Sequence, residues 1–534
     1  MLDLHIETAD LHGAWCATRA GWACGGSHLD PFRNAALESF AFASPRRLLF
    51  VVRERSAGVP SAEGTRVGDA IPMLDEDAWE RQLAAATQWP LQFVTVVIAT
   101  DASEPRVQLE SGDWANGAVF LVARPEVLTG CWDAGRLYRH LPEPRLDPVL
   151  ASHFLASFDV PYSRRTMFAG MQVMTHRSRA RWDGSGLTID YPAPVEAPAP
   201  MLLKPDADVV AAFRKIVRSS MARWLPPGFR GASAELSGGL DSAIVAATAS
   251  DLLDTPLLTQ GIILLGEMGE EQRSRRHELI ARFGFSDDTV DISDFIPLHA
   301  GSTRLTRTPA VPWEDCYYEA LEAMLQRAAA RGAAIVFTGI GGDELCGPGL
   351  YNDVDTDRAG EARQPDDPFP AFLTDRAQEI VRGTEGTLDH APMALVCSSS
   401  LCASQRSSAL AMRLGLWTIN PLCTPELVAF CDRLPPEWRR DRAVERRTLE
   451  SLGCSRNVFR PPAPDDFSSA CVRGVRSAGR ATIEALFRDS RLAELGLVDR
   501  DRLLADYRQW CDSGRSDGDL PFYAAAILEQ VLRQ

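Results

Sequence analysis

A glycine-rich segment between a predicted strand and a predicted helix constrains the fold of this chain more than any other feature. The run Ala232–Leu236 predicts a strand, and Ser242–Leu253 predicts a nearly all-apolar, buried helix. The segment Ser237–Ser242 lies between them and reads Ser-Gly-Gly-Leu-Asp-Ser. Consecutive glycines let a backbone turn tightly and bring its N–H groups against an anion, and the following helix adds its positive N-terminal end. The segment therefore predicts a phosphate-binding loop.

Three side chains of this loop suit a nucleotide. Ser237 and Ser242 offer hydroxyl donors to phosphate oxygens. Asp241 would repel phosphate directly, so we expect it to hold Mg²⁺, which prefers hard oxygen ligands. The loop is not of the Walker type, because no Gly-Lys-Ser/Thr follows. An isolated pair of glycines would also fit an ordinary turn between a strand and a helix, and the six-residue string is more specific than that.

A second loop of the same kind occurs later in the chain. The predicted strand Ala333–Phe337 leads into residues 338–344, which read Thr-Gly-Ile-Gly-Gly-Asp-Glu. In an open parallel sheet, ligands bind beyond the carboxyl ends of the strands, and both loops fall there. Asp241 and Asp343 are therefore predicted to hold Mg²⁺ together on the phosphates of ATP, which would help pyrophosphate to leave.

Helices and short strands alternate in the second half of the chain. Ala207–Trp224 and Tyr317–Arg331 have helical periodicity, and Leu257–Leu265 is a strand-like apolar run. This alternation predicts a parallel sheet with helices on both faces. Gly347–Phe369 is rich in Gly, Pro and Asp and has no periodicity, so we expect a long loop that is a candidate mobile lid.

The first half has a different pattern. Arg47–Val52, Phe93–Ile98 and Ala118–Ala123 are strand-like runs separated by Gly, Pro and acidic turns, which predicts a sheet-rich antiparallel domain. Alternating prolines in residues 192–200 predict an extended, semi-rigid linker. At 534 residues the chain is too long for one core. We therefore predict an α/β protein with a first domain at 1–191, a linker at 192–200 and a second domain at 201–534.

Charge and composition exclude several classes of function. A net charge of −16 argues against a non-specific nucleic-acid or anionic-membrane binder. The first residues lack a secretory signal, and the apolar run Trp89–Ala99 is too short to cross a bilayer, so a cytoplasmic protein is expected. The twelve cysteines form no CxxC pair and the nine histidines show no metal-ligand spacing, which predicts reduced structural thiols.

The two glycine loops together resemble those of the pyrophosphate-loop ATP pyrophosphatases, specifically the asparagine synthetase superfamily. This resemblance implies a C-terminal fold like the adenine-nucleotide α-hydrolases and cleavage of ATP to an acyl-adenylate and pyrophosphate. An amine then attacks the adenylate. The ATP-contacting residues that it implies are Leu236, Ser237, Gly238, Gly239, Leu240, Asp241, Ser242, Ile263, Leu264, Thr338, Gly339, Gly341 and Gly342, with Leu236, Ile263 and Leu264 beside the adenine.

The N-terminal half resembles the glutaminase domain of asparagine synthetases without its nucleophile. Those enzymes carry a catalytic cysteine at position 2, where this chain has Leu2. The segment Asp133–Tyr138 is similar to a shared segment of that domain. The resemblance thus implies an Ntn-hydrolase-like fold that has lost glutaminase chemistry, so that ammonia from glutamine is not the expected nucleophile.

Relatives that lack the cysteine include β-lactam synthetases and lasso peptide cyclases, and the rest of the chain is more similar to the cyclases. The segments that carry this similarity are Phe337–Gly347, Asn420–Val428 and the tail from Arg480 to Leu532. The similarity implies an enzyme that adenylates an Asp or Glu side chain of a linear core peptide, which the peptide's own N-terminal amine then attacks. It also implies two partners, a leader peptidase and a leader-recognition protein.

The segments expected to bind the carboxyl substrate depart from the synthetase pattern. Ile340 stands where synthetases have Glu, and the segments Trp417–Pro421 and Arg460–Pro464 are also altered. By position, Arg442, with Arg446 and Arg447 nearby, is the candidate for a cation that stabilises the transition state; a solvated helix face is the alternative. Glu344 and Asp315 are candidate general bases that could equally cap helices.

Other classes of function remain open at this point. A small-molecule amide synthetase of the β-lactam or asparagine type would turn over a free amino-acid derivative. A tRNA thiolase would need a basic surface and usually catalytic cysteines, neither of which is evident. A non-catalytic binding protein on the same fold would not need both aspartates, Asp241 and Asp343.

Overall fold

The structure of the chain is a computed structural model that describes residues 1–60, 67–99, 106–114, 116–143, 145–158, 160–196, 198–306, 311–347, 368–462 and 465–533. Most of the predicted loop Gly347–Phe369 lies outside these residues. The strands are β1 (Leu2–Glu7), β2 (Cys16–Ala17), β3 (Trp22–Cys24), β4 (Ser27–Pro31), β5 (Leu37–Ala43), β6 (Arg47–Glu54), β7 (Phe93–Ala99), β8 (Arg106–Ser111), β9 (Phe120–Arg124), β10 (Val127–Cys131), β11 (Gln172–Val173), β12 (Arg179–Trp182), β13 (Leu187–Asp190), β14 (Ala232–Glu235), β15 (Leu258–Ile263), β16 (Ser286–Asp291), β17 (Ile335–Phe337) and β18 (Trp417–Ile419).

The helices are α1 (Glu76–Thr87), α2 (Ala134–Leu137), α3 (Pro148–Ser157), α4 (Val209–Ala222), α5 (Leu240–Leu252), α6 (Gly266–Phe283), α7 (Thr303–Thr306), α8 (Tyr318–Ala330), α9 (Gly342–Leu345), α10 (Asp375–Thr384), α11 (Ser398–Arg413), α12 (Pro425–Asp432), α13 (Pro436–Arg439), α14 (Ala443–Ser451), α15 (Arg456–Phe459), α16 (Ser468–Arg473), α17 (Arg480–Arg488), α18 (Arg491–Glu494), α19 (Arg500–Ser513) and α20 (Leu520–Val531). A short 3-10 turn, Arg440–Arg442, precedes α14.

The first half of the chain forms two antiparallel sheets. One has the strand order β11-β9-β10-β1-β4-β3-β2 and the other has the order β13-β12-β8-β7-β6-β5. Leu4 of the first sheet shares a buried core with Phe50 and Val96 of the second, so the sheets pack face to face. On the outer face of the second sheet, Val51 packs against Trp79 of α1. The sheet-rich antiparallel half is confirmed, and its assignment to the Ntn-hydrolase class stays a prediction.

The second half contains a parallel sheet with the order β16-β15-β14-β17-β18. Apolar residues of α5, such as Val245, share one core with Leu236 and Phe337. Val336 packs instead with Tyr318 of α8 and with residues of α11. Because neighbouring strand residues point to opposite faces, these two cores cover the two sides of the sheet. The α/β class, with a parallel sheet between helices, is confirmed.

Most predicted boundaries lie within two residues of the observed ones. The helix predicted at Ser242–Leu253 begins earlier, at Leu240, because Gly239 takes an extended conformation and occupies the N-cap position. Asp241 and Ser242 therefore lie in the first turn of α5 and not in the loop before it. The strand predicted at Ala118–Ala123 begins later, at Phe120.

Polar contacts join the halves, among them those of Glu54 and Asp133. Glu54 of β6 is 0% exposed and accepts hydrogen bonds from the indole nitrogens of Trp224 (3.0 Å) and Trp417 (2.7 Å). Asp133 receives two hydrogen bonds of 2.8 Å each from the guanidinium of Arg413. In this structure, Asp133 of the 133–138 segment recognised in the sequence thus holds the two halves together.

Within the described ranges, no helix is both long and apolar enough to cross a bilayer. All twelve cysteines are free thiols, and most are buried.

Candidate active site

The first glycine loop joins the central strand β14 to α5. Gly238 has a φ of +91°, a conformation that side chains rarely adopt. Its carbonyl accepts a hydrogen bond of 3.1 Å from Nε of Arg275, which is buried and paired with Asp465 at 2.6 Å. Gly239 caps α5 without any side-chain hydrogen bond. The first N–H groups of α5 are therefore not capped by a side chain and can bind an anion.

The two serines of this loop bond to each other. The Ser237 N–H donates to Ser242 Oγ at 3.1 Å, and the two hydroxyl oxygens lie 3.0 Å apart. Ser237 Oγ also accepts from the Gly239 N–H at 3.2 Å. The hydroxyls predicted to contact phosphate thus organise the turn, and Ser237 is the exposed one of the pair.

The second glycine loop packs directly on the first. A Cβ on Gly342 would fall 2.1 Å from Asp241 Cγ, and one on Gly339 would fall 3.0 Å from the Ser242 nitrogen. Gly341 has a φ of +95°, and a Cβ there would meet Cys423 Sγ at 2.5 Å. These glycines are therefore required for the close approach of the two loops, which brings Asp343 into the same site as Asp241.

Arg442 binds both aspartates. Its guanidinium forms ion pairs with Asp241, with Asp343 (2.5 Å) and with Glu445 (2.5 Å). The three carboxylates differ in exposure, because the side chain of Asp343 is 81% exposed and that of Glu445 is 1% exposed. Asp441 and Arg442 both have positive φ values, of 53° and 54°, which are costly for residues with a Cβ. The surrounding contacts hold this strained turn and direct Arg442 into the site.

Burial shifts the titration of these acids. It raises the pKa of Asp241 well above its usual range, with the charge of Glu445 as the second cause and Arg442 opposing the rise. Burial also raises the pKa of Glu445 to about 7, again against the effect of Arg442. Three carboxylates thus surround a single guanidinium, and a further cation would favour their charged forms.

This donor set fits Mg²⁺. The oxygens of Asp241 and Asp343 already meet at one cation, the Arg442 guanidinium, and carboxylate oxygens are the ligands that Mg²⁺ prefers. Mg²⁺ usually takes one or two protein carboxylates and completes its shell with water and substrate phosphates. Within the described residues, no cluster of three or more acidic, His or Cys side chains is arranged to hold a metal by itself. Asp241 and Asp343 can thus hold Mg²⁺ only together with another ligand, such as a nucleotide.

The other predicted residues are divided between the core and the loops. Leu236, Ile263 and Leu264 are buried, and the Leu264 N–H donates to Oε1 of Gln272 at 3.0 Å. Thr338 donates to Oδ1 of Asn420 at 2.7 Å. The three apolar residues lie in the buried core at the sheet edge, and their contact with adenine stays a prediction.

The candidate bases and the other arginines lie as follows. Glu344 accepts a hydrogen bond of 2.5 Å from Ser399 Oγ, and the carboxylate of Asp315 does not cap α8. Arg446 pairs with Asp441 at 3.1 Å, whereas Arg447 is exposed over the ring of Trp438, at 4.3 Å. The alternative of a solvated helix face therefore describes Arg447 and not Arg442.

Several site residues were missed from the sequence. Glu445 follows Arg442 by three positions, a spacing that places side chains on one face of a helix, so it could have been found. Arg275 could not have been, because it reaches the first loop from α6 through the tertiary fold.

The chain belongs to the asparagine synthase family, whose profile matches residues 212–533. It is an ATP-using carbon–nitrogen ligase that acts through adenylation and forms AMP and diphosphate. No curated protein matches the chain.

Two solved structures are similar at 12% identity. The U34-tRNA thiolase NcsA from Methanococcus maripaludis has a TM-score of 0.26, with 57% of this chain and 80% of that chain covered. The NMN synthetase from Francisella tularensis has a TM-score of 0.22, with 62% and 94% covered. Scores this low leave the family match as the basis for the chemistry.

Proposed function

We propose that the chain closes a macrolactam ring in a lasso peptide precursor. It adenylates an Asp or Glu side chain of the linear core peptide, and the N-terminal amine of the same peptide attacks the adenylate. The observation that carries this proposal is the side chain at position 2: Leu2 is 1% exposed in β1 and offers no thiol to release ammonia from glutamine. Both loop aspartates, Asp241 and Asp343, are present. An amine from the substrate itself then supplies the nucleophile.

The residues of the two loops have separate roles in this reaction. The N–H groups at the start of α5 bind the phosphates, and Asp241 and Asp343 hold Mg²⁺. When bound, Mg²⁺ neutralises phosphate charge and assists the departure of pyrophosphate. Arg442 neutralises the same two carboxylates in the structure, and we propose that it transfers to the phosphates when the metal takes its place. A tethered amine beside the activated ester gains a large effective concentration.

The acceptor side of the site supports a carboxyl substrate other than free aspartate. Ile340 puts an apolar side chain in the second loop where the synthetases carry Glu, and its neighbour Cys423 donates to the Ile340 carbonyl at 3.4 Å. We propose a linear core peptide as the substrate, with a leader peptidase and a leader-recognition protein as partners, in the cytoplasm.

The assay offers purified protein ATP and Mg²⁺ with one of two substrates. One is a leader-free peptide with a free amine and an internal Asp or Glu, taken from the precursor gene expected beside this one. The other is aspartate with ammonia. Release of AMP and pyrophosphate with a peptide product lighter by one water supports the proposal. Turnover of the small substrate alone would replace it with a small-molecule synthetase, and ADP as the product would overturn adenylation.

Two variants and a control test the metal site. Asp241→Ala and Asp343→Ala are each expected to abolish pyrophosphate release, because the loss of either carboxylate leaves Mg²⁺ held by one protein ligand. Asp254→Ala removes an exposed aspartate just after α5 and should leave release unchanged. Near-normal turnover in either of the first two variants would contradict the shared metal site.

A further inference from the structure

A row of polar side chains crosses the parallel sheet beside the two glycine loops. Glu235 of β14 is the strand partner of Gln260 of β15. The register of β14, β17 and β18, extended by one residue, places Thr338 beside Glu235 and Asn420 beside Thr338. Paired residues of parallel strands point to the same face, here the face covered by α8 and α11. Glu235 precedes Ser237 by two positions and lies level with Thr338, so the row lies where both loops begin.

Two of the four side chains in this row form hydrogen bonds, and the other two form none with the described residues. Thr338 bonds to Asn420 at 2.7 Å, and Asn420 donates to Ser404 of α11 at 2.6 Å. Gln260 is 2% exposed, yet neither its amide oxygen nor its amide nitrogen has a hydrogen-bond partner among the described residues. The Glu235 carboxylate likewise forms no hydrogen bond or ion pair with the described part of the chain. A buried polar side chain is rarely left unpaired, so Gln260 points to a ligand, and the unpaired carboxylate of half-buried Glu235 lies beside it.

The turn before α8 adds a second acid to the same place. Buried Arg304 donates to the carbonyl of Asp315 at 3.1 Å and forms an ion pair of 2.6 Å with Glu319, which fixes the turn from behind. The ring of Tyr317 stacks on Phe467 with centroids 4.1 Å apart. The backbone of this turn is therefore held rigidly, and its Asp315 side chain pairs with none of the described residues.

The turn before α8 lies on the same face of the sheet as Glu235, because Tyr317 and Phe467 pack on the core that holds Ile262 and Val336. Burial raises the pKa of Glu235 to about 7, and the charge of Asp315 raises it further. Asp315 and burial raise the pKa of Tyr317 well above its usual value, while Arg406 opposes that rise. Burial also raises the pKa of Asp315, against the charges of Arg406 and Arg304. An acid from a strand and an acid from a turn thus lie on the same face of the sheet, within the electrostatic influence of Arg406.

We infer that Glu235, Gln260 and Asp315 bind the amino group of the substrate, and that Glu235 and Asp315 take its protons. An ammonium group has three N–H donors, and these three side chains offer acceptors without partners among the described residues. The inference rests on the proposed function only in requiring that an amine attacks an acyl-adenylate. It holds for a peptide amine and for a small-molecule amine alike.

The chemistry balances on two proton acceptors. The ammonium loses one proton to become the nucleophile, its nitrogen forms a bond to the acyl carbon, and the bond from that carbon to the AMP oxygen breaks. The nitrogen loses its second proton as the amide forms, and AMP leaves as the phosphate monoester. Glu235 and Asp315 can take one proton each and return them to solvent. A base that titrates near neutral pH is suited to this task.

The test separates amide formation from adenylation. It compares Glu235→Gln and Asp315→Asn with wild type in ATP–pyrophosphate exchange and in single-turnover amide formation, using whichever carboxyl substrate supports exchange. Amide formation should fall by about 10²-fold or more and lose its rise toward neutral pH, while exchange falls by less than about 10-fold. Hydroxylamine, which is unprotonated at neutral pH, should capture the adenylate in both variants. Glu385→Gln, an exposed substitution, should match wild type.

Three results would overturn the inference. Exchange and amide formation could fall together, which would make Glu235 a support of the loops. Amide formation could keep its rate and pH profile in both variants, or hydroxylamine could fail to rescue product formation. If Glu235→Gln does not fold, the test uses Glu235→Asp and Asp315→Asn instead. Glu235→Asp keeps a carboxylate, so its rate of amide formation should still rise toward neutral pH. Exchange supported only by a small amino acid would refute the peptide substrate and leave this inference standing.

Discussion

Replacing Arg442 by methionine would remove the cation that holds the carboxylates of the two loops together. Arg442 pairs with Asp241, Asp343 and Glu445. Methionine keeps a Cβ and a long side chain, so the cost of the left-handed backbone at this position is the same in both proteins. The difference in stability between them then reports the lost charge and not relief of backbone strain.

The expected loss of stability is about 3–5 kcal/mol, the cost of leaving a buried charge without its partner. Glu445 dominates this figure, because its side chain is 1% exposed and its other oxygen has no hydrogen-bond partner among the described residues. Asp343 contributes little, since its side chain is 81% exposed and water screens it. Arg442→Met/Glu445→Gln removes the orphaned charge and should recover about 2 kcal/mol or more of the loss.

The loss should grow with pH. Burial raises the pKa of Glu445 to about 7 from an ordinary value of 4.5, so its stabilising contribution is fully present below 4.5 and is lost as pH rises through 7. Arg442 opposes that rise in pKa, so without it the folded-state value is higher still and the loss continues to higher pH. Arg442→Met should therefore be destabilised more at pH 8 than at pH 6.

Urea unfolding at both pH values measures these differences. Arg447→Met is the matched control, because Arg447 lies on α14, which follows Arg442 directly, but is exposed over Trp438, and its loss should cost less than about 1 kcal/mol. The reasoning is refuted if Arg442→Met is no less stable than this control at pH 8. It is equally refuted if Arg442→Met/Glu445→Gln is no more stable than Arg442→Met.

Two further substitutions test the packing around the site. Gly342→Ala should abolish ATP–pyrophosphate exchange, because its Cβ would fall 2.1 Å from Asp241 Cγ, whereas Gly383→Ala in α10, with nothing within 4 Å, should leave exchange intact and stabilise the fold by about 0.5–1 kcal/mol. Glu54→Gln should lower the free energy of unfolding by about 1–3 kcal/mol in a urea titration, because one of the indole or backbone N–H donors around it then faces an amide nitrogen. An unchanged midpoint would show that Glu54 does not link the halves.

The loops and the sheet around them could be predicted because their signals lie in consecutive residues. Ser237–Ser242 and the 338–344 loop each follow a short predicted strand. Glycine spacing and helical periodicity are local properties of the chain. The order of strands and helices therefore predicted the parallel sheet, and the position of both loops at its carboxyl edge predicted that Asp241 and Asp343 would meet. The start of α5 was placed late, because glycine as an N-cap leaves little trace in the sequence.

Local sequence patterns were enough to predict the two glycine loops, their aspartates and the parallel sheet beneath them, and to indicate an amide-forming family. The residues that surround these loops could be identified only from the folded chain. Arg442 reaches Asp241 across 201 positions of chain, and Glu235, Gln260 and Asp315 come from separate elements. The physical reason is that the pairing of parallel strands, and the packing of crossover helices on them, sets which distant side chains share a face. No pattern of neighbouring residues carries that information.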